Sequence, residues 1–129
     1  MLAIDTNVVV RYLTGDDPVQ AAQARTLVDK DQVFVGDTVV LECDWVLRSA
    51  YGYGARQVAD ALRRFAGLPT VMLESPERIA RALDMVDQGV DFADALHLTR
   101  AEHCEGFITF DRGLVKAAGV LGATTVRTP

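Results

Sequence analysis

The sequence predicts an α/β protein with a mostly parallel sheet, and two observations predict it. Short apolar runs that fit buried strands alternate with amphipathic stretches of helical period. This alternation is typical of parallel strands that are connected by helices. The 129 residues, half of them hydrophobic, suffice for a sizeable core, and no repeat or linker divides them. We therefore expect one domain over residues 1–129.

Start and stop residues mark the helices, and apolar runs mark the strands. Asp17 and Pro18 begin a helix that runs to about Lys30. Gly67 ends a later helix that begins at Ala55. In chain order the predicted elements are strand 2–5, helices 6–13 and 18–30, strand 33–35, helices 38–51 and 55–66, strand 70–73, helices 77–88 and 91–105, strand 107–110, helix 114–119 and strand 124–126.

The composition restricts the classes of partner and the compartment. A net charge of −5 argues against binding nucleic acid by general electrostatics. An acidic protein can still act on RNA if metal ions neutralise an acidic pocket and arginines line its rim. Cys43 and Cys104 lie in predicted helices without metal-type spacing, so both are expected to be buried thiols in a reducing compartment. No apolar run approaches membrane length, and we expect a cytoplasmic protein without a membrane partner.

Two acidic residues follow predicted strands. Asp5 ends the first strand, and Asp111 follows the strand 107–110 directly. Sites in parallel sheets form beyond the carboxyl ends of the strands, so both carboxylates are candidates for a functional site. The alternative for Asp5 is to cap the short helix that follows it, and the residue alone does not decide between the two roles.

Glu42 is unusual because its helix is apolar on nearly all faces. The neighbouring Asp44 can pair with Arg48 four residues on, whereas Glu42 has no basic residue three or four positions later. A carboxylate on an apolar face needs a counter-charge, which a metal ion would supply. The alternative is a side chain that reaches past the apolar surface to solvent.

Asp91 and Asp94 lie three residues apart at the start of a predicted helix. Both can be capping residues, with Asp91 as the N-cap, or either can project into a site. We favour the cap for Asp91. His97 shares this helix face, but a single histidine in a helix is more often structural than a ligand.

Clustered carboxylates point to divalent metal chemistry. Like charges repel, and a protein tolerates their convergence only at a cost in stability. Mg²⁺ and Mn²⁺ prefer oxygen ligands. Hydrolysis of a phosphodiester bond suits such a site, because a metal ion activates the water and stabilises charge on the phosphate.

Four segments together resemble the PIN-domain family, and within it the VapC-type toxins of bacterial toxin–antitoxin pairs. They are residues 2–7 (LAIDTN), 42–47 (ECDWVL), 91–96 (DFADAL) and 109–111 (TFD). The resemblance implies a three-layer α/β/α domain with a central, mostly parallel sheet. The four acids of the family would match Asp5, Glu42, Asp94 and Asp111, as catalytic residues and metal ligands. Thr6, Asn7 and Thr109 match polar positions that support those acids.

The resemblance also implies an activity and partners. Proteins of this kind look like Mg²⁺- or Mn²⁺-dependent endoribonucleases that cut structured RNA such as tRNA or ribosomal RNA. A VapB-like antitoxin would neutralise the toxin, and homodimers are usual. The apolar helix around Trp45 agrees with such an interface. Arg11, Arg48 and Arg112 could contact RNA, although each is individually better explained as a solvated or salt-bridged charge.

Other functions fit the residues less well. A receiver-like signalling domain would need an aspartate after a central strand and a lysine after a late one, but the third strand is followed by Glu74 and Lys116 lies in a helix. A phosphatase of the haloacid-dehalogenase type would need a second aspartate at position 7, which is Asn7. A catalytically idle PIN scaffold that only binds a partner remains an alternative, against which the presence of all four acids counts.

Overall fold

A computed structural model describes residues 1–122 and 124–129. These residues form helices alternating with short strands, and all the strand pairs are parallel. In chain order the elements are β1 (Leu2–Ala3), α1 (Thr6–Thr14), α2 (Pro18–Lys30), β2 (Val33–Val35), α3 (Asp37–Ser49), α4 (Ala55–Ala66), β3 (Val71–Leu73), α5 (Pro76–Asp87), α6 (Phe92–Arg100), β4 (Phe107–Ile108), α7 (Arg112–Leu121) and β5 (Val126–Arg127). The predicted α/β class with a parallel sheet is confirmed.

The described chain divides into two compact units, of which the first spans Met1–Pro76. Its three strands form a sheet in the order β1-β2-β3, so β2 is the central strand. Val33 and Val35 point to the same face of β2 and are buried, whereas Phe34, on the opposite face, is half-buried. Helix α1 packs against α2 and α3, and α3 packs against α4. The carboxyl ends of all three strands therefore lie at one edge of this sheet.

Local chemistry explains where the helices of the first unit begin and end. The Asp17 carboxylate accepts a hydrogen bond from the Gln20 N–H at 3.0 Å, and Pro18 occupies the first helical position, where its missing N–H costs nothing. Gly15 ends α1 with a φ of 65°, a left-handed conformation that favours glycine. The predicted bounds of α2, β2 and α4 are confirmed.

The second unit spans Glu77–Pro129. Strands β4 and β5 pair in parallel, with Phe107 opposite Val126. Its core consists of apolar residues from α5, α6 and α7 that are almost fully buried. They include Ile79, Ala82, Leu83, Val86, Phe92, Ala95, Leu96, Leu98, Leu114 and Ala118.

Three predictions in the second unit are wrong. Helix α6 ends at Arg100 rather than Glu105, because short-range bonds such as Cys104 N–H to the Ala101 carbonyl (3.0 Å) replace the helical pattern. Cys104 is consequently exposed and not buried, whereas Cys43 is buried as predicted. Strand β4 ends at Ile108 and does not include Phe110.

None of the helices in the described residues combines the length and the apolar character needed to cross a membrane.

Candidate metal centre

Asp5 lies at the carboxyl end of the first strand and caps the helix that follows. Its Oδ1 accepts a hydrogen bond from the Thr6 N–H at 2.7 Å, and its backbone is extended, as at an N-cap. The carboxylate is nevertheless exposed. Since one oxygen makes the cap bond, the other is available to a ligand. The two roles that the sequence left open for Asp5 are therefore compatible.

Glu42 is held by a residue far away in the sequence. The buried Thr6 hydroxyl donates a short hydrogen bond to Glu42 Oε1, which connects α1 to α3. Glu42 itself is exposed, so the carboxylate does reach solvent at the edge of its apolar helix. Thr6 thus bonds to both acids, because its N–H donates to Asp5 and its hydroxyl donates to Glu42. We call them the first acidic pair.

The thiol of Cys43 lies close enough to this pair to sense its charge. Burial, and after it the negative charges of Glu42, Asp5 and Asp44, together raise the pKa of Cys43 to about 12. Asp44 is compensated by Arg48, whose guanidinium lies 2.8 Å from its carboxylate, as the sequence predicted. The uncompensated negative charge near Cys43 therefore comes from Asp5 and Glu42.

Asp94 lies in the first turn of α6 and is half-buried. Burial raises the pKa of Asp94 above its ordinary value, and the charges of Asp91 and Asp111 raise it further, while His97 lowers it. Asp91 caps the helix, because its carboxylate accepts a hydrogen bond from the Ala93 N–H at 3.1 Å. The cap that we favoured for Asp91 is confirmed.

Asp111 begins the last helix of the second unit. Its Oδ1 accepts a hydrogen bond from the Leu114 N–H at 3.0 Å, and its own N–H donates to the Thr109 hydroxyl at 3.0 Å. The carboxylate is exposed, and its charge acts on Asp94. Asp94 and Asp111 form the second acidic pair. In both pairs a threonine hydroxyl bonds to one of the acidic residues. The Thr6 hydroxyl donates to the Glu42 side chain, and the Thr109 hydroxyl accepts from the Asp111 backbone N–H.

Most of the arginines considered as RNA contacts are engaged within the protein. Arg11 forms an ion pair with Asp16 at 3.2 Å and donates a hydrogen bond to the Tyr51 hydroxyl at 2.9 Å. Arg48 is paired with Asp44. Arg112, next to Asp111, is exposed and makes no ion pair with any residue that the structure describes. Asn7, the remaining polar candidate, lines a cavity of about 250 Å³ between α1 and α2.

Each acidic pair suits a hard divalent cation better than a soft one. Its ligands are carboxylate oxygens, which Mg²⁺ and Mn²⁺ prefer. Among residues 1–122 and 124–129, no group of three or more His, Cys, Asp or Glu side chains is arranged so that it could hold a metal ion. Mg²⁺ is usually bound through one or two carboxylates, with waters and substrate phosphates completing its shell. The donor sets of the pairs therefore fit Mg²⁺ and do not suit a structural zinc site.

Sequence reasoning missed two features of this region. It offered Glu42 no partner, because Thr6 lies 36 positions away and only the fold brings them together. It placed Phe110 in a strand, whereas Phe110 follows the strand and is 86% exposed beside Asp111. The signal for the second feature was Thr109, since threonine hydroxyls bond to nearby backbone N–H groups and end regular structure.

The chain is thus an α/β protein in which exposed carboxylates, those of Asp5 and Asp111, follow the parallel strands β1 and β4. Comparison with family models gives one assignment: the PIN domain model matches residues 2–120. The chain belongs to the PIN domain family. PIN domains are generally nucleases, often metal-dependent, and their fold is the predicted three-layer α/β/α type. No curated protein gives a significant match to the sequence.

Proposed function

We propose that this protein is a metal-dependent endoribonuclease in which Asp5, Glu42, Asp94 and Asp111 bind Mg²⁺ or Mn²⁺. The observation that carries the proposal is the occurrence of these acids as two pairs, each with a supporting threonine, in a PIN domain. Burial and the negative charges of Asp91 and Asp111 raise the pKa of Asp94, against a smaller lowering by His97, and a bound cation would favour its ionised form. A PIN match does not favour the receiver-like alternative.

The residues of this chain have distinct roles in the proposed reaction. A bound divalent ion lowers the pKa of the attacking water and stabilises charge on the scissile phosphate. The Thr6 hydroxyl orients Glu42, and the cap bond of Asp5 fixes one of its oxygens, so the first pair presents its remaining oxygens in a defined direction. Asp111 is held differently, because its backbone N–H donates to the Thr109 hydroxyl while its Oδ1 accepts from the Leu114 N–H. Asp94, half-buried, is the ligand whose charge is least screened by solvent.

We further propose that the protein is the toxin of a type II toxin–antitoxin pair acting in the cytoplasm on tRNA or ribosomal RNA. The resemblance of its four motifs to VapC-type toxins supports this assignment. A VapB-like antitoxin and a second copy of the chain are the proposed protein partners. Trp45 supports an interface, because its side chain is 63% exposed on α3 and large exposed aromatic residues are enriched where proteins associate.

The partner proposal is tested by expressing the chain together with the product of the small reading frame next to its gene. A stable complex, and a dimer in light scattering for the chain alone, are expected. Trp45→Ser should weaken dimerisation, whereas Val19→Ser, at an apolar position of similar exposure on α2, should leave the mass unchanged. A monomer at all concentrations, with no complex, would exclude both partners.

The nuclease proposal is tested by incubating the purified chain with end-labelled tRNA and ribosomal RNA. Internal cuts are expected with Mg²⁺ or Mn²⁺ and none in excess EDTA, because in the proposed mechanism the metal ion lowers the pKa of the attacking water. Glu42→Gln should abolish the cuts. Glu105→Gln, an equal change at an exposed acid outside both pairs, should cut normally and exclude a contaminating nuclease. Undiminished cleavage in EDTA would refute the mechanism.

An idle scaffold makes a different prediction. Such a protein would bind its partner but cut no RNA with either metal, and Glu42→Gln would then change nothing. The same assay therefore separates the two functions.

A further inference from the structure

Phe110 is the most exposed large apolar side chain among the described residues, at 86%. Strand β4 ends two residues earlier, and Thr109 bonds to the Asp111 N–H across Phe110 at 3.0 Å. Asp111 in turn is anchored to the Leu114 N–H. The backbone on both sides of Phe110 is thus fixed by hydrogen bonds. The aromatic ring is presented to solvent by an ordered turn that hydrogen bonds define.

The position of Phe110 in the chain places it beside the second acidic pair. It immediately precedes Asp111, whose charge acts on Asp94. Arg112 follows, exposed and without an ion pair to any described residue. An aromatic ring and a guanidinium group therefore flank one proposed metal ligand. Consecutive Cα atoms lie about 3.8 Å apart, so groups bound by these three residues belong to the same nucleotide or to neighbouring ones.

We propose that Phe110 stacks on an unpaired nucleobase next to the scissile phosphate and so positions the RNA at the second acidic pair. This inference rests on the proposed nuclease function and names a substrate-positioning residue for it. Exposed aromatic side chains stack on bases that are free of a helix, whereas a base inside a duplex is already stacked on both faces. Arg112 neutralises the adjacent phosphate, which favours a nucleic acid over an apolar protein segment as the occupant of this turn.

The choice of a base over a protein partner also follows from the surroundings. A protein-binding patch needs contiguous apolar surface. Here Phe110 is followed directly by the charged residues Asp111 and Arg112 and preceded by the hydroxyl of Thr109. Ile108, two residues earlier, is also partly exposed, but the residues next to Phe110 in the chain are polar or charged, which suits a base with its sugar and phosphate.

The stacking is tested by the affinity of the metal-free protein for two fluorescein-labelled RNAs of equal length. One is an unstructured mixed-sequence strand and the other is a fully paired hairpin. Phe110→Ala should weaken binding of the unstructured strand by about 5- to 150-fold, the usual effect of losing one stacked base. Phe110→Tyr should restore the affinity, because it retains a ring. Binding of the hairpin should be unchanged in both variants.

Val120→Ala is the matched control, since it removes another highly exposed apolar side chain from the same unit. With Mg²⁺ present, Phe110→Ala should raise KM for the unstructured strand and leave kcat within about 3-fold, because stacking contributes equally to the bound substrate and the transition state. Cleavage sites mapped in tRNA should fall in loops or at unpaired ends.

Four results would overturn the inference: no binding of either RNA by the wild type, equal binding by wild type and Phe110→Ala, an equal loss for both RNAs, or a loss of self-association without a loss of RNA affinity. The last result would assign Phe110 to a protein interface. The inference and the nuclease proposal fail separately. Metal-dependent cleavage with no effect at Phe110 refutes only the stacking, whereas ring-dependent binding without cleavage refutes only the nuclease.

Discussion

The two acidic pairs contain the same chemical groups but hold them in different ways. In the first pair both carboxylates accept hydrogen bonds from Thr6, one from its N–H and one from its hydroxyl. In the second pair Asp94 is half-buried, and Asp91 and Asp111 raise its pKa rather than lower it. The difference is that Thr6 bonds to both acids of the first pair, whereas burial and neighbouring negative charges disfavour the ionised form of Asp94 in the second. We therefore expect the orientation of the first pair to depend on Thr6. The ionised state of the second pair should depend on a bound cation.

The largest expected effect comes from removing one charge of the second pair. Asp94→Asn keeps the shape of the side chain, and RNA cleavage should fall by about 100-fold or more, because a metal ligand is lost. Asp29→Asn on α2 changes the net charge equally at an exposed site and should cut normally. The assay is initial-rate cleavage of end-labelled RNA with Mg²⁺. Near-normal cleavage by Asp94→Asn would show that Asp94 is not a metal ligand and acts only in the first turn of α6.

In the first pair the corresponding change removes a hydroxyl group and leaves both charges in place. Thr6→Val preserves the buried shape but leaves Glu42 without its hydrogen bond, so cleavage should fall by about 10- to 100-fold. The free energy of unfolding should fall by only about 1 kcal/mol, the usual worth of one hydrogen bond. Thr6→Ser, which restores the hydroxyl, should recover most of the activity. Equal activity of Thr6→Val and the wild type would show that Glu42 needs no orientation.

Much of the fold could be predicted because its signals are local. Asp17 and Pro18 begin α2, and Gly67 follows α4, so those helices were predicted with their observed bounds. The end of α6 could not be predicted, because the residues after Arg100 include no glycine or proline before Gly106. No residue in that stretch has a strong local preference against a helix. The helix ends where short-range bonds, from Ala101 N–H to Leu98 and from Cys104 N–H to Ala101, replace the helical pattern.

For the site, position after a strand pointed to Asp5 and Asp111, and the missing basic partner pointed to Glu42. Asp94 was selected by the family resemblance, and none of these signals describes how the acids are held. The Asp91 cap and the Asp44–Arg48 pair follow from spacing within one helix, and both are observed. The bond from Thr6 to Glu42 joins two helices, and only the packed structure supplies it. The exposure of Phe110 depends on a hydroxyl bond that competes with the strand.

The repulsion in the second pair should appear in the pH dependence of stability without metal. The pKa of Asp94 in the folded state lies above its ordinary value of 3.8. The folded state therefore binds the proton more tightly, and ionisation of Asp94 lowers stability as the pH rises from 3.8 through the raised value. Asp94→Asn should be more stable than the wild type at neutral pH, by at most about 1 kcal/mol, because solvent screens the partly exposed charges.

This difference should disappear below pH 3.8, where the wild-type carboxyl is neutral in both states. The asparagine also loses a favourable interaction with the start of α6, which opposes the gain. Urea unfolding in EDTA at several pH values measures the balance. The difference in unfolding free energy between Asp94→Asn and the wild type is compared at each pH. If this difference favours the wild type more at neutral pH than at acid pH, the assigned repulsion is contradicted.

The smallest expected effect concerns the two thiols and leaves activity untouched. Cys43 is buried beside the first pair and its pKa is raised to about 12, whereas Cys104 is exposed. One thiol should therefore react with a chromogenic disulfide reagent at pH 8 in the native protein, and two after denaturation. Cys104→Ser should leave none reactive before denaturation. Rapid reaction of both native thiols would mean that the region around Asp5 and Glu42 opens readily.

The most direct test of the account is the binding of Mg²⁺ itself, measured by calorimetry and by the shift in melting temperature that Mg²⁺ causes. A ligand that binds only the folded state raises its stability according to its concentration and affinity. The wild type and Asp29→Asn should be stabilised equally, and Glu42→Gln and Asp94→Asn much less, because each pair contributes ligands. Equal stabilisation of all four proteins would contradict the claim that these carboxylates bind the metal.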